Sequence, residues 1–240
     1  MTERTNAHPR ALVLSSGGCD STTCTALAVE RFGAQNTSTV SIFYGQRHAK
    51  ELQCANAVAR HYGVSHYEID LASAHIMDAS TCALLASAPD EIAHASYEEQ
   101  IEEQPHGMAN TYVPFRNGLF LSAVAALAMS IYPGEEVHLL IGVHGDEAIG
   151  EAYADCSPEF IEAMSRAISI GTYGFVKLEA PFAQTDKAEV VRRGLELDVP
   201  FELTWSCYEG GEVQCGTCAT CRDRRRAFAA NGAQDPVPYA

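Results

Sequence analysis

The sequence predicts an α/β protein with a doubly wound, mainly parallel sheet. Short apolar or β-branched runs alternate with stretches of helical length along most of the 240 residues. This alternation implies crossover helices that cover both faces of a parallel sheet. A glycine-rich turn directly after the first apolar run places a candidate ligand site beyond the carboxyl ends of the strands, where such sheets bind their ligands.

The first strand is predicted at residues 11–14, where four apolar residues precede two glycines. Residues 21–32 follow as a helix, and a β-rich run predicts a strand at residues 38–44. Residues 49–62 carry apolar side chains at helical spacing and predict the second helix, before a third strand at residues 65–71.

The second half of the chain continues the alternation, with a near-apolar helix at residues 118–131 and an apolar strand at residues 137–143. The last predicted elements are helix 158–170, strand 175–178, and a helix over residues 186–197 that Thr185 or Asp186 caps.

The interval 72–110 breaks this alternation with prolines, glycine and the acidic run 98–103. A connection of this length in a compact domain is usually functional or mobile, so we predict a lid-like insertion. The acidic run is predicted to be a solvated face rather than a metal site.

Composition and charge restrict the function. A hydrophobic fraction of 47% and a charged fraction of 20% are ordinary for a globular chain with a full core. No apolar run approaches a membrane span, and residues 1–10 lack the apolar core of a signal peptide, so we predict a cytoplasmic protein. A net charge of −15 opposes docking on a nucleic-acid backbone, which makes nucleic acid an unexpected partner.

The glycine-rich turn reads Ser16-Gly17-Gly18-Cys19-Asp20-Ser21. Two glycines let the backbone approach a ligand, and the amides at the start of the next helix suit a phosphate group. The turn has no lysine, which excludes the Walker pattern. The sequence at this point fits a non-Walker phosphate loop and an ordinary strand-to-helix turn about equally well.

The strongest chemical signal is a cysteine cluster near the end of the chain. Four of the nine cysteines, Cys207, Cys215, Cys218 and Cys221, lie within fifteen residues. Two-residue gaps let successive thiolates face one centre, and the upstream cysteine completes a tetrahedron, which favours structural zinc. An iron–sulfur cluster needs the same ligands, and a redox pair is a weaker alternative. We therefore divide the chain into an α/β domain at residues 1–203 and a zinc-binding region at residues 204–240.

Several motifs together resemble one protein family. The Ser-Gly-Gly-x-Asp-Ser turn resembles the PP-loop of the N-type ATP pyrophosphatase superfamily, whose sheet is of the adenine-nucleotide alpha hydrolase-like type. Further segments resemble the 7-cyano-7-deazaguanine synthases of queuosine biosynthesis. They are Tyr44-Gly45-Gln46-Arg47-His48, Val113-Pro114-Phe115-Arg116-Asn117, Asp155-Cys156 with Pro158-Glu159-Phe160, and Thr204-Trp205-Ser206-Cys207-Tyr208.

The resemblance implies an ATP-dependent ligase. Enzymes of this family convert 7-carboxy-7-deazaguanine and ammonia to the nitrile, through a carboxylate adenylate, an amide and a dehydration. ATP, structural Zn²⁺ and Mg²⁺ are the implied cofactors, and a homodimer is the implied assembly. Alternatives are a relative that stops at the amide or acts on another substrate, a PP-loop tRNA-modifying enzyme, and a non-enzymatic ATP sensor.

The resemblance also assigns residues. Catalytic roles fall on Asp20, Ser21, Arg47, Arg116 and Lys187, with Asp20 orienting the loop or helping to hold Mg²⁺. The phosphates of ATP would be held by Ser15, Ser16, Gly17, Gly18, Cys19, Asp20, Ser21, Thr22, Thr23, Cys24 and Thr25. The substrate would be bound by Tyr44, Arg47, Phe115, Arg116, Asn117 and Asp155, with the alternative that Asn117 caps helix 118–131. Pyrophosphate clamping or solvated helix-end charge is the expectation for Arg222, Arg224, Arg225 and Arg226.

The chain departs from the family pattern in one motif. Members usually read Tyr-Pro-Asp-Cys-Arg-Pro-Glu-Phe, whereas this chain has Ala154 at the first proline and Ser157 at the arginine. The departure bears on how the acid end of the substrate is held, and it leaves both the nitrile and the amide open as the end point.

Overall fold

The computed structural model of the chain describes residues 8–47, 49–88, 91, 92, 94, 110–145 and 153–240. Within these residues a single sheet has the strand order β3-β2-β1-β4-β5, and all neighbouring strands are parallel. Its strands are β1 Arg10–Leu14, β2 Thr37–Phe43, β3 Ser65–Asp70, β4 Val137–Leu140 and β5 Val176–Glu179. The order reverses at β1, which confirms the predicted doubly wound parallel sheet.

Helices cover both faces of the sheet, because successive strand residues point to opposite sides. Ala11 and Val13 of β1 pack against the first helix, whereas Leu12 packs against the third. No helix in the described part of the chain has both the length and the apolar character to cross a membrane. The helices are α1 Cys19–Phe32, α2 Lys50–Tyr62, α3 Arg116–Ile131, α4 Pro158–Gly171, α5 Lys187–Glu196 and α6 Ala219–Ala230.

Two predicted boundaries move by a few residues. Strand β4 ends at Leu140 rather than at residue 143, since its partner β1 ends at Leu14. Gly142 then passes so close to the start of α1 that a Cβ there would lie 2.8 Å from the main chain of Asp20. Helix α3 begins at Arg116, two residues before the predicted start. The cap of α5 is Asp186, whose Oδ1 accepts a hydrogen bond from the Glu189 amide at 2.8 Å.

The first part of the predicted insertion packs into the core. Ala83 and Leu85 are fully buried, and Leu85 forms an isolated antiparallel bridge with Gln46. Residues 72–88, the described first part of the interval, contain no regular strand or long helix, and their apolar side chains complete the core beside β2. Most of residues 89–109, including the acidic run 98–103, lies outside the described residues.

The carboxy-terminal region is joined to the α/β core by a buried arginine. Arg224 is fully buried and makes two hydrogen bonds to the Asp235 carboxylate, at 2.8 and 2.9 Å. Its Nη1 donates to Thr204 Oγ1 at 2.7 Å, and its Nη2, which also binds Asp235, donates to the Phe201 carbonyl at 3.1 Å. Because its donors are used in this way, Arg224 braces α6 and does not clamp pyrophosphate.

Candidate active site

A cleft opens at the carboxyl edge of the sheet, beside the point where the strand order reverses. Its cavity volume is about 170 Å³, and the cleft is open to solvent on one side. The loop after β1, the ends of β2 and β4, and the starts of α3 and α5 contribute to its wall. Of the predicted site residues, the cleft brings together Ser15, Ser16, Gly18, Asp20, Ser21, Tyr44, Arg116, Asn117 and Lys187.

The loop between β1 and α1 leaves hydrogen-bonding groups available at the cleft. Gly18 occupies the N-cap of α1 and supplies no side-chain cap, so the first amides of the helix lack that partner. The Ser16 amide donates to Ser21 Oγ at 3.2 Å, and the two hydroxyls lie 3.1 Å apart. The Ser15 and Thr22 hydroxyls are buried with no hydrogen-bond partner among the described residues. The loop therefore has the donors that a phosphate group requires.

Other residues predicted to bind ATP lie in the body of α1 and do not line the cleft. Thr23 donates its hydroxyl to the Cys19 carbonyl, and Thr25 donates to the Ser21 carbonyl, both at 2.9 Å. Cys24 is packed in the core between α1 and β1. These side chains are used within α1 and its packing against β1, away from the cleft.

Gly17 cannot be replaced without distortion, since its φ is +76° and a Cβ would lie 2.4 Å from the Glu51 carbonyl oxygen. We expect Gly17→Ala to lower the free energy of unfolding by about 2 kcal/mol or more, measured by urea denaturation. Gly18→Ala is the matched control, because its Cβ would meet nothing closer than Ser16 Oγ at 3.3 Å. Equal stability of the two variants would contradict this account of the loop.

An ion pair joins the start of α1 to the start of α5. Both carboxylate oxygens of Asp20 accept hydrogen bonds from Lys187 Nζ, one of them at 2.6 Å. Burial opposes ionisation of Asp20, but Lys187, with a smaller effect of His144, outweighs it and holds the pKa of the carboxyl below its usual value. The pair thus places a cation and a carboxylate, both charged at neutral pH, beside the α1 amides.

A second part of the cleft wall is built around Arg116. Burial alone would lower the pKa of this guanidinium, but Tyr44 and Cys156 beside it raise the pKa instead. Tyr44 is buried, its ring lies 5.3 Å from that of Phe120, and burial raises its pKa to about 12. The wall therefore offers a permanent positive charge next to a neutral aromatic ring.

The cleft wall does not include three of the residues predicted to bind the substrate, namely Arg47, Phe115 and Asp155. Arg47 donates to the carbonyls of Leu85 and Ala88, at 3.1 and 2.9 Å, and so holds the insertion. Phe115 is 57% exposed and adopts a left-handed φ of 53°. Its ring meets Phe160 edge-on at 5.8 Å.

Asp155 is buried beneath the cleft wall. Its Oδ2 accepts a hydrogen bond from the Asn117 amide at 2.9 Å, and its carbonyl accepts from Asn117 Nδ2 at 3.0 Å. Asp155 thereby holds the first turn of α3. The alternative in which Asn117 caps that helix is wrong, because the N-cap position is Phe115.

The cleft also contains residues that sequence reasoning did not select. Trp205, Ser206 and Tyr208 lie within a motif that was recognised, but their placement in the wall depends on the fold. Glu51 lies in the first turn of α2, where the helical pattern gave no sign of a special role. Its only local signal is its position shortly after the Tyr44–His48 motif.

The four clustered cysteines converge as predicted. The Sγ atoms of Cys207, Cys215, Cys218 and Cys221 all lie within 4.8 Å of one another. Backbone amides donate to these sulfurs, among them Cys215 N to Cys207 Sγ and Cys218 N to Cys215 Sγ, both at 3.3 Å. None of the nine cysteines is in a disulfide. The group can hold a metal ion, and its soft thiolates with amide donors suit a structural site.

The cysteine cluster is connected to the loop after β1 through residues 204–207. The Trp205 amide donates to the Gly17 carbonyl at 2.9 Å, and its indole Nε1 donates to the Cys207 carbonyl at 2.7 Å. The Cys19 sulfur lies 3.8 Å from both the Thr204 and the Ser206 hydroxyl. The position of the loop therefore depends on the segment that the cysteines hold.

Comparison with known proteins agrees with this arrangement. The family model described as "Queuosine biosynthesis protein QueC" matches residues 10–232, nearly the whole chain. The chain belongs to this family. The sheet, the cleft and the cysteine cluster all lie within the matched residues, so the resemblance stated from the motifs is confirmed.

Curated relatives in this family are similar over nearly their full length. The protein named 7-cyano-7-deazaguanine synthase of Caldicellulosiruptor saccharolyticus is 39% identical, covering 96% of this chain and 95% of that protein. Its namesake in Archaeoglobus fulgidus is 38% identical, covering 95% and 89%. Among solved structures, the NMN synthetase of Francisella tularensis aligns with a TM-score of 0.48 and 17% identity, over 95% of this chain and 79% of that one. That likeness is too distant to carry an argument.

Proposed function

We propose that this chain is a 7-cyano-7-deazaguanine synthase that converts 7-carboxy-7-deazaguanine and ammonia to the nitrile at the expense of ATP. The names of the relatives support the reaction class. The observation that carries the proposal is one cleft lined by the loop after β1, the Asp20–Lys187 pair, and Arg116 with Tyr44. Such a cleft suits a triphosphate that faces a planar acid.

The reaction begins with activation of the substrate carboxylate, which is a poor electrophile until it gains a leaving group. The α1 amides and the Ser16 and Ser21 hydroxyls would hold the triphosphate, with Lys187 beside its developing negative charge. A substrate carboxylate oxygen attacks the α-phosphorus, a P–O bond forms, and pyrophosphate leaves. Mg²⁺, when bound, neutralises charge on the leaving pyrophosphate, and the oxygen donors of Asp20 and Ser21 suit that hard cation.

The substrate would lie against the part of the cleft wall that Arg116 and Tyr44 form. The fork of the Arg116 guanidinium suits a carboxylate, and the Tyr44 ring suits the face of a flat heterocycle. Ammonia then displaces AMP to give the amide. A second adenylation, at the amide oxygen, allows AMP to leave as the nitrile forms.

The cysteine group would bind one structural Zn²⁺, because four thiolates leave no open coordination position. The division at residue 203 and the homodimer implied by the family belong to the same proposal.

The departure at Ser157 favours release of the amide as the second candidate function. The Ser157 hydroxyl accepts a hydrogen bond from the Phe160 amide at 3.2 Å and caps α4, so it supplies no cation in place of the family's arginine. Fewer contacts between the enzyme and the carboxyl-derived end of the substrate would weaken binding of the amide intermediate before its adenylation.

Incubation with ATP, ammonia and 7-carboxy-7-deazaguanine, followed by mass spectrometry, tests the proposal. We expect the nitrile to accumulate, with the amide as a transient species. Accumulation of the amide alone would support the second candidate. Neither product, from protein that binds ATP and retains its metal, would contradict both.

A further inference from the structure

Glu51 is a second carboxyl group in the cleft, and its backbone is held in a fixed place. It lies in the first turn of α2 and lines the cleft with Tyr44 and Arg116. Its carbonyl oxygen packs against Gly17, where a Cβ would lie only 2.4 Å away. Helix α2 therefore fixes Glu51 beside the loop after β1, in the cleft that Arg116 also lines.

The two carboxyl side chains that line the cleft, Asp20 and Glu51, differ in acid–base character. Asp20 is paired with Lys187 and has a lowered pKa, which makes it a poor proton acceptor. Burial raises the pKa of Glu51 to about 7, and the charge of Arg116 opposes this rise only in part. Glu51 thus exchanges a proton near neutral pH, whereas Asp20 does not.

The neighbours of Glu51 keep their own protons while Glu51 titrates. From α3 it faces Arg116, which stays protonated. From the end of β2 it faces Tyr44, whose pKa burial raises to about 12. On its own helix it faces Cys54, whose pKa burial also raises. A proton added to or lost from this part of the cleft near neutral pH is therefore carried by Glu51.

The proposed reaction, on which this inference rests, needs a proton acceptor at several steps. Nitrogen enters as ammonium at neutral pH and ends in a nitrile that bears no hydrogen. Protons leave when ammonium becomes ammonia, when the adduct becomes the amide, and in the second adenylation and the elimination that follow. The first adenylation differs, because its carboxylate is already ionised and releases no proton.

We propose that the Glu51 carboxylate is the proton acceptor of the cleft. It takes a proton from ammonium, which leaves ammonia and a carboxylic acid, and ammonia then attacks the acyl carbon as AMP departs. Glu51 returns its proton to solvent and then accepts one from the protonated nitrogen of the adduct, which leaves the neutral amide. After the second adenylation it accepts two protons from the same nitrogen in turn, each passed to solvent: the first leaves the neutral imidate, and the second departs as the C–O bond breaks, AMP leaves and the nitrile forms.

Glu51→Gln tests this, because glutamine keeps the shape and cannot accept the proton. We expect kcat to fall by ~10²–10⁴-fold and the rise of kcat with pH through about 7 to disappear. The KM for the acid and the affinity for ATP should stay within about twofold, and Glu51→Asp should restore part of kcat. Glu162→Gln, on the exposed face of α4, is the control and should behave as the wild type.

Pyrophosphate exchange into ATP, measured with the acid but without ammonium, separates this inference from the proposed function. Wild type and Glu51→Gln should exchange at similar rates, because that step releases no proton. Absence of exchange and product in the wild type would overturn the proposed function. If the wild type forms the nitrile and Glu51→Gln forms it with unchanged kcat, the role of Glu51 is overturned. A variant that shows only a raised KM for the acid, at unchanged kcat, would overturn it as well.

Thermal unfolding supplies a measurement independent of turnover. Because folding raises the pKa of Glu51, its neutral form contributes stability that is present below the ordinary value of 4.5 and is lost as pH rises through about 7. The wild type should therefore lose melting temperature relative to Glu51→Gln across that interval. A constant difference between the two would overturn the proposal.

Discussion

Lys187→Met is expected to lower kcat/KM by ~10²–10³-fold, because it removes a cation beside the charge that develops on the leaving pyrophosphate. Lys187 is 11% exposed and donates to both carboxylate oxygens of Asp20 at the start of α1. Steady-state kinetics and ATP binding by calorimetry would measure the effect. Lys177→Met is the control, because Lys177 is about half exposed and pairs with Glu136 on the surface.

The same substitution also affects folding, which a second variant separates from catalysis. Lys187→Met leaves the Asp20 carboxylate largely buried and without this partner, which should cost about 3 kcal/mol of stability. Asp20→Asn combined with Lys187→Met removes both charges and should recover most of that loss while activity stays low. Recovery of activity with stability would show that the pair serves the fold alone.

Loss of one cysteine ligand is the other change with a large expected effect. We expect about one zinc per chain in the wild type and no retained metal in Cys221→Ser, measured by elemental analysis. Structural zinc supplies about 10–16 kcal/mol in small metal sites, as much as the stability of a whole domain. Its loss should release residues 204–207 from the loop and weaken ATP binding by calorimetry.

A matched control for this experiment is Cys82→Ser, since Cys82 is buried outside the cysteine cluster. That variant should keep its metal. A colourless protein is expected, whereas brown absorbance with bound iron would indicate an iron–sulfur cluster. A Cys221→Ser variant that retained full metal and unchanged ATP affinity would contradict the structural role assigned to the cluster.

Much of the fold could be predicted because its signals are local. The apolar run before Gly17 and Gly18, the helical spacing in residues 49–62 and the two-residue cysteine gaps each determine a nearby structure. The end of β4 was misplaced because it depends on a neighbour: pairing stops at Leu140 where β1 turns into the loop.

The candidate site was harder to predict because its partners are distant in sequence. Asp155 has the chemistry to bind an amino edge, but the fold brings the Asn117 amide to it, which no local pattern reveals. Arg47 lies in a recognised motif, yet its guanidinium reaches the carbonyls of the insertion. Glu51 gained its raised pKa only from burial in the cleft, so nothing in its helix marked it.

The fate of the substrate's carboxylate oxygens tests the central claim, that the loop grips ATP so that the acid attacks its α-phosphorus. The enzyme would be supplied with 7-carboxy-7-deazaguanine labelled with ¹⁸O in its carboxylate, and the released nucleotide examined by mass spectrometry. The account predicts AMP that carries ¹⁸O from the acid, together with unlabelled pyrophosphate. Unlabelled AMP, or ADP with labelled inorganic phosphate, would contradict it.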